Sequence, residues 1–185
     1  MKFDILAVAL ATASTALAVP APWEAFKLRA VSDSNAQLNG QFLKAKTGRY
    51  YFGPAPSNPV CEGGNQDDGT FYLKDGSVFF YNTSPSVTPQ QMFTDRSGMG
   101  MGVTGYGDQG SPLPRYAEVT GWAFNSQSRL NIYGNEWYAC PHPATNSWSI
   151  WVYSPNPNPG HNQGCIKISL ERVGAPNPLS CTYSK

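Results

Sequence analysis

Few residues of this sequence are placed to carry out catalysis. Both histidines lie in loop-like contexts, His142 between two prolines and His161 between a glycine and an asparagine, and no G-x-S-x-G turn for a nucleophilic serine occurs. A guanyl-type ribonuclease would need a glutamate, an arginine and a histidine that converge on a phosphate, for which Glu118, Arg115 and either histidine are candidates. A glycosidase would need two carboxylates about 5–9 Å apart, and the twelve acidic residues include no preferred pair. The sequence therefore predicts a protein with no catalytic residues, and a small secreted hydrolase of either kind is the alternative.

The four cysteines, Cys61, Cys140, Cys165 and Cys181, are the next reactive group. They contain no C-x-x-C pair, so the sequence predicts no metal site and no cofactor. An even number of cysteines in an exported chain predicts two disulfides, although sequence alone allows three pairings. The preferred pairing joins Cys140 to Cys165 across a short loop rich in proline and asparagine, and Cys61 to Cys181, which ties the C-terminus to the body of the domain.

Aromatic side chains crowd the C-terminal half of the chain. Because side chains alternate between the two faces of a strand, some of these rings must face outward. A flat exposed ring suits the C–H face of a sugar. We therefore predict Trp151, Tyr153 and Trp137 as candidates for stacking on a glycan, as in a lectin-like or effector-like protein. The alternative is that most of these rings pack in the core or between sheets.

Two short motifs have different predicted roles. The tripeptide Asn82–Ser84 is an N-glycosylation sequon with a proline just after it, so Asn82 is a candidate glycosylation site. The segment Gly100–Gly105 has the letters G-x-G-x-x-G, but prolines and glycines follow where a dinucleotide-binding fold needs a helix. We expect residues 97–110 to form a structural loop that packs onto the sheet, with Met99 and Met101 beneath it.

The elements that position these residues are predicted to be strands, because helical periodicity is almost absent after residue 18. Short runs of alternating apolar and polar residues recur between Gly, Pro, Asn and Asp. The Asp75-Gly76 pair between Phe71–Leu73 and Ser77–Tyr81 predicts a hairpin, and a second hairpin is predicted to turn over Asn125–Ser128. Three stretches share a loose pattern of strand, turn and strand, which fits a β-trefoil-like barrel and equally a β-sandwich. The predicted fold class is all-β, a single compact domain stapled by two disulfides.

The start of the chain predicts export. Lys2 gives a positive beginning, an apolar run follows, and Ala16-Leu17-Ala18 is an A-x-A cleavage signal. We predict a signal peptide over residues 1–18 and one β-rich extracellular domain over residues 19–185. The net charge is +1 and no run of Lys or Arg occurs, which argues against nucleic acid or a membrane surface as a partner.

Several short motifs occur in order along most of the predicted mature chain: Phe26–Leu28, Ser97–Gly100, Gly105-Tyr106, Ala139–Pro141, and Trp151-Val152 ahead of Cys165. In these motifs the chain resembles the phiA family of fungal cell-wall proteins. The resemblance implies a secreted, wall-associated protein without known catalysis, with cell-wall polysaccharide or other wall components as partners. It also implies a role in phialide and conidium development or in stress protection, and it implies no functional residues.

Overall fold

Fourteen short β-strands form almost all the regular structure of this chain in its computed structural model, which describes residues 24–153 and 155–185. The predicted signal peptide, residues 1–18, lies outside the described residues. Two 3-10 turns, Pro143–Thr145 and Pro159–His161, accompany the strands. Within the described ranges no helix has both the length and the apolar character needed to cross a membrane. The strands are β1 (Phe26–Val31), β2 (Lys44–Lys46), β3 (Arg49–Phe52), β4 (Val60–Cys61), β5 (Thr70–Lys74), β6 (Ser77–Phe80), β7 (Gln90–Asp95), β8 (Val103–Asp108), β9 (Trp122–Phe124), β10 (Arg129–Ile132), β11 (Trp137–His142), β12 (Ser147–Val152), β13 (Ile166–Gly174) and β14 (Cys181–Thr182).

Nine of the strands close into an antiparallel barrel, in the order β1-β5-β6-β7-β8-β3-β12-β11-β13. Closure comes from β13, which pairs back to β1 from Phe26 opposite Gly174 to Val31 opposite Ser169. A closed barrel leaves no unpaired strand edge in the ring. The all-β prediction is confirmed, and of the two architectures that it allowed the structure is a barrel. The β9–β10 hairpin adds to β13, β2 adds to β3, and β14 pairs with β4 as a separate ribbon.

The β5–β6 hairpin shows how local sequence sets the strands. Lys74 pairs with Ser77, so the loop has only two residues, Asp75 and Gly76, with φ angles of 50° and 72°. Both central residues of such a tight turn need positive φ, which the Asp-Gly pair tolerates. The hairpin predicted at this pair is confirmed, and the turn places Phe71 and Phe80 side by side in the core, with ring centroids 4.8 Å apart.

The last five residues, 181–185, are called here the C-terminal plug, because Cys181 and Tyr183 pack in the barrel core. Tyr183 is 2% exposed and stacks on Phe80, with centroids 4.0 Å apart. Its backbone N–H donates to Oε1 of Gln90 and its carbonyl accepts from Nε2 of Gln90, each at 2.8 Å. The predicted Cys61–Cys181 disulfide is confirmed, and it holds the plug where every buried polar group of Tyr183 has a partner.

The second predicted disulfide, Cys140–Cys165, is also confirmed. It fastens the proline- and asparagine-rich segment that follows β12, residues 155–165, to β11, and this segment is called the stapled loop. Because Cys140 and Tyr138 are two residues apart on β11, they share the outer face of the barrel. The stapled loop therefore covers the outer side of the β11–β12 hairpin.

The glycine-rich segment is only partly a loop, which corrects the expectation for residues 97–110. Val103–Asp108 is strand β8, and the turn before it is held by bonds from the N–H of Met101 to the carbonyl of Ser97 and from the N–H of Gly102 to that of Asp95, both at 2.8 Å. Two further bonds, from the N–H of Ser97 to Oδ1 of Asp95 and from the N–H of Gly100 to Oγ of Ser97, hold the turn without an apolar side chain beneath it. Met99 accordingly projects outward and is 92% exposed, and the expectation that it lies under the loop is wrong.

Candidate functional site

Two of the residues nominated for hydrolysis, Glu118 and His142, are held at separate places in the barrel. Glu118 is held by Arg96 through two bonds, Nε to Oε1 at 3.0 Å and Nη2 to Oε2 at 2.6 Å, which raise the pKa of Arg96. Its backbone bridges Thr94 on β7. His142 ends β11, and three barrel strands (β8, β3 and β12) lie between β11 and β7, so glutamate and histidine lie on different sides of the barrel. In the ranges described, no three His, Cys, Asp or Glu residues group as metal ligands.

Trp137, one of the three rings predicted to stack on a glycan, lies in the core. It is 1% exposed, it stacks on Trp122 at a centroid distance of 5.5 Å, and its Nε1 donates to the carbonyl of Leu130 at 2.7 Å. The prediction that Trp137 stacks on a glycan is corrected for this reason. Alternation along β11 turns Trp137 inward and Tyr138 outward, and the sequence pattern did not distinguish the two faces.

Trp151 faces outward but meets the stapled loop. A Cβ built on Gly160 would lie 2.3 Å from the nearest atom of the indole, so the backbone of Gly160 rests against the ring. The Nε1 of Trp151 donates to Oγ of Ser149 at 2.9 Å. One face of this half-buried ring is thus occupied by the chain itself, and its role in glycan stacking stays a prediction.

Tyr153 borders a cleft with a volume of about 320 Å³. The residue follows β12 directly, and its N–H donates to the carbonyl of Glu136 at 2.7 Å. Its ring contacts Tyr138, with centroids 5.2 Å apart, and Nζ of Lys167 lies 4.5 Å from the ring centroid. Burial and the neighbouring Tyr153 raise the pKa of Tyr138. The cleft, called the Tyr153 cleft, is lined by Gly134, Asn135, Glu136, Trp137, Tyr153 and Lys167.

The Tyr153 cleft combines a half-exposed ring with polar groups of different kinds. Lys167 and Glu136 are exposed and offer an ammonium donor and a carboxylate acceptor. Asn135 uses its Nδ2 to bond the carbonyl of Ile132 at 3.1 Å, which holds its side chain in place. Oε1 of Glu136 accepts from Oγ of Ser169 at 3.4 Å. A ring beside fixed donors and acceptors is the arrangement that suits a hydroxyl-rich ligand with an apolar face.

Sequence reasoning missed Asn135, Glu136 and Lys167. They come from the β10–β11 connection and from β13, and only the pairing of β13 with β11, Lys167 opposite Tyr138, brings them to one place. No local spacing signals such a group. The aromatic cluster was the one signal that pointed to this part of the molecule, through Tyr153.

Asn82, the candidate glycosylation site, supports the C-terminal plug. Its Nδ2 donates to the carbonyl of Cys181 at 3.1 Å and to Oγ1 of Thr182 at 3.3 Å, while its Oδ1 accepts from the N–H of Ser84 at 2.8 Å. A glycan would replace one of the two amide hydrogens used in these bonds. Glycosylation of Asn82 stays a prediction.

Comparison with known proteins adds the family context. A family model described as PhiA-like secreted protein matches residues 26–184. Proteins named cell wall protein phiA are 36% identical in Aspergillus fumigatus, over all of this chain and 99% of the relative, and 36% identical in Emericella nidulans, over all of both chains. One from Arthroderma benhamiae is 31% identical over 97% of each chain. No solved structure matches this chain.

Proposed function

This chain belongs to the PhiA-like secreted protein family and is a secreted cell-wall protein, and from that premise we propose that it is non-catalytic and holds wall polysaccharide in the Tyr153 cleft. Relatives of full matching length are named cell wall proteins, which supports the fungal cell wall as the site of action and wall components as partners. The role in spore-forming structures that the resemblance implies stays a prediction.

The chemistry of the Tyr153 cleft carries the proposal. Tyr153 supplies a ring for the C–H face of a sugar, and Lys167 and Glu136 supply a donor and an acceptor for hydroxyl groups. Lys167 lies on β13, which pairs with β11, so the backbone that carries this donor is held in place. The ligand class that fits is a polysaccharide segment with exposed hydroxyls.

The same cleft argues for binding without hydrolysis. Glycoside hydrolysis in most enzyme families uses two carboxyl groups that flank the scissile bond. Glu136 is the one carboxylate among the residues that line the Tyr153 cleft. The geometry therefore supports retention of a polysaccharide chain and offers no second carboxylate for its cleavage.

A sedimentation assay tests this function. The secreted protein is mixed with insoluble β-glucan or insoluble chitin, and the bound fraction is measured for the parent, Tyr153→Ala and a control, Tyr116→Ala, which removes a 54% exposed tyrosine elsewhere. Loss of one stacking ring, worth about 1–1.5 kcal/mol, should weaken binding by about tenfold in Tyr153→Ala only. Equal binding by all three proteins, or reducing sugar released from the polysaccharide, would refute the proposal.

A further inference from the structure

A second cleft lies at the other end of β12. Its volume is about 420 Å³, and it is lined by Gln37, Gln41, Gly53, Pro54, Asn146 and Trp148. We call it the Trp148 cleft. Trp148 and Tyr153 are five residues apart, which at about 3.3 Å per residue places their Cα atoms roughly 17 Å apart along the strand.

The indole of Trp148 is held in place by the barrel. Trp148 pairs with Phe52 on β3, and it is half-buried because part of the ring packs against the hydrophobic core. The remainder of the ring borders the cleft. Pairing with both β11 and β3 fixes the backbone that carries this ring.

Three carboxamide side chains line the Trp148 cleft together with this ring. Nε2 of Gln41 donates to the carbonyl of Gln37 at 2.7 Å, which joins two of the lining residues and leaves Oε1 of Gln41 as an acceptor. Asn146 has a left-handed backbone, φ 48° and ψ 45°, and its N–H donates to the carbonyl of Pro143 at 3.3 Å. Within the described residues, the side-chain amides of Gln37 and Asn146 make no hydrogen bond, and both residues are exposed.

The lining of the Trp148 cleft carries no charge, whereas the Tyr153 cleft holds Lys167 and Glu136. Each free carboxamide has both donors and an acceptor, so it pairs with a hydroxyl or an acetamido group in either sense. A ring beside neutral amides gives no electrostatic advantage to an ionised ligand. From this combination we infer that the Trp148 cleft is a second binding site, for an uncharged polysaccharide segment that stacks on Trp148 and bonds to Gln37 and Asn146.

This inference does not depend on the Tyr153 cleft, and the two sites give the molecule a further property. A protein with two polysaccharide sites at opposite ends of one strand holds two segments at once. The avidity from two linked sites exceeds the affinity of either one when both can engage the same wall material.

The test uses two soluble probes, a linear β-glucan hexasaccharide and chitohexaose, because both are uncharged and a wall could supply either. Binding is followed by the NMR signals of the indole N–H groups, with Trp148→Phe used to assign the Trp148 signal. The double variant Gln37→Ala/Asn146→Gly removes both free amides, and glycine keeps the left-handed backbone at position 146 without strain. Melting temperature confirms that each variant is folded.

We expect at least one probe to move the Trp148 signal in the parent and in Tyr153→Ala, and the double variant to bind it about tenfold more weakly. The probe that moves the signal identifies the glycan. If neither probe moves the Trp148 signal in the parent, or the double variant binds as well as the parent, the inference is wrong. If Tyr153→Ala is the one variant that loses binding of the probes, the second site is refuted, while the proposed function of the Tyr153 cleft stands.

Discussion

The C-terminal plug and the two ends of β12 hold similar residues in opposite environments, buried in the plug and partly exposed at β12. In the plug, Tyr183 is buried, and Gln90 satisfies both of its backbone groups. At the ends of β12, Tyr153 and Trp148 are half-buried beside side chains that face solvent. Buried polar groups must be paired inside the fold, whereas exposed ones are available to a ligand. The comparison indicates that the plug stabilises the barrel, and it is consistent with the proposal that the β12 region binds a ligand.

Each of the two disulfides belongs to one of these regions. Cys61–Cys181 joins residues 120 apart in sequence and fixes the plug, while Cys140–Cys165 joins residues 25 apart and fixes the stapled loop. A longer closed loop removes more entropy from the unfolded chain. The disulfide of the stabilising region is therefore expected to contribute more to the free energy of unfolding.

Removal of each disulfide gives the largest expected effects. Cys61→Ala/Cys181→Ala should lower the free energy of unfolding by about 5 kcal/mol, and Cys140→Ala/Cys165→Ala by about 3.5 kcal/mol, since stabilisation grows with the length of the closed loop. Urea unfolding of both double variants under identical conditions measures the difference. If removal of Cys140–Cys165 lowered the free energy of unfolding more than removal of Cys61–Cys181, the plug would not be the main stabilising region.

Alkaline pH is expected to destabilise the C-terminal plug. Burial raises the pKa of Tyr183 to about 12 from its ordinary value of 10.0, and burial also raises the pKa of Tyr106 and Tyr50. A raised pKa means that the folded state favours the neutral phenol. The contribution of Tyr183 to the free energy of unfolding is therefore complete below pH 10 and is lost as the pH rises from 10 to 12. The free energy of unfolding falls by about 3 kcal/mol over this range because of Tyr183.

Melting temperatures of the parent and Tyr183→Phe between pH 9 and pH 12 measure that contribution. The variant lacks the hydroxyl that donates to the carbonyl of Asp68 at 3.0 Å, so it should be less stable at pH 9 and should lose less stability toward pH 12. Melting temperatures that fall equally with pH in the two proteins would contradict the raised pKa of Tyr183.

A smaller effect is expected from the turn that supports β12 from the side of β8. Gly102 has a φ of +88°, its carbonyl accepts from the N–H of Val152 at 2.8 Å, and a Cβ there would lie 2.2 Å from the carbonyl oxygen of Val152. Gly102→Ala should cost about 2 kcal/mol, because both backbone strain and a clash arise. Gly98→Ala, where a Cβ meets nothing within 4 Å, is the matched control.

Thermal unfolding of the two glycine variants checks this expectation. The control should stay within about 0.5 kcal/mol of the parent, as surface substitutions usually do. Nucleotide affinity in the parent that Gly102→Ala abolishes without any loss of stability would contradict the structural role of this segment.

Local signals in the sequence predicted the parts of the fold that depend on neighbouring residues. The Asp75-Gly76 hairpin follows from the φ requirements of a two-residue turn, and both disulfides match the pairing preferred from the even cysteine count. Barrel closure could not be predicted in this way. It joins Phe26 to Gly174, which are almost the whole chain apart, and no local pattern records that contact.

The candidate site was only partly predictable for the same reason. Alternation predicts that Trp137 and Tyr138 lie on opposite faces of β11, but it does not tell which face is the core, and the inward ring is Trp137. Met99 was expected to be buried as an apolar residue, yet hydrogen bonds among backbone groups and the side chains of Asp95 and Ser97 hold its turn, and Met99 is exposed. Lys167 reaches Tyr153 only through the register of β13 on β11.

The most direct test of the division between plug and β12 region is one paired measurement on Tyr153→Ala and Tyr183→Phe. For each variant, the dissociation constant for wall polysaccharide and the melting temperature are measured beside the parent. We expect Tyr153→Ala to weaken binding by about tenfold with a melting temperature that changes little. We expect Tyr183→Phe to bind as the parent does but to melt about 2–4 °C lower, the shift for about 1 kcal/mol in a protein of this size. Equal loss of binding in both variants, or none in Tyr153→Ala, would contradict the account.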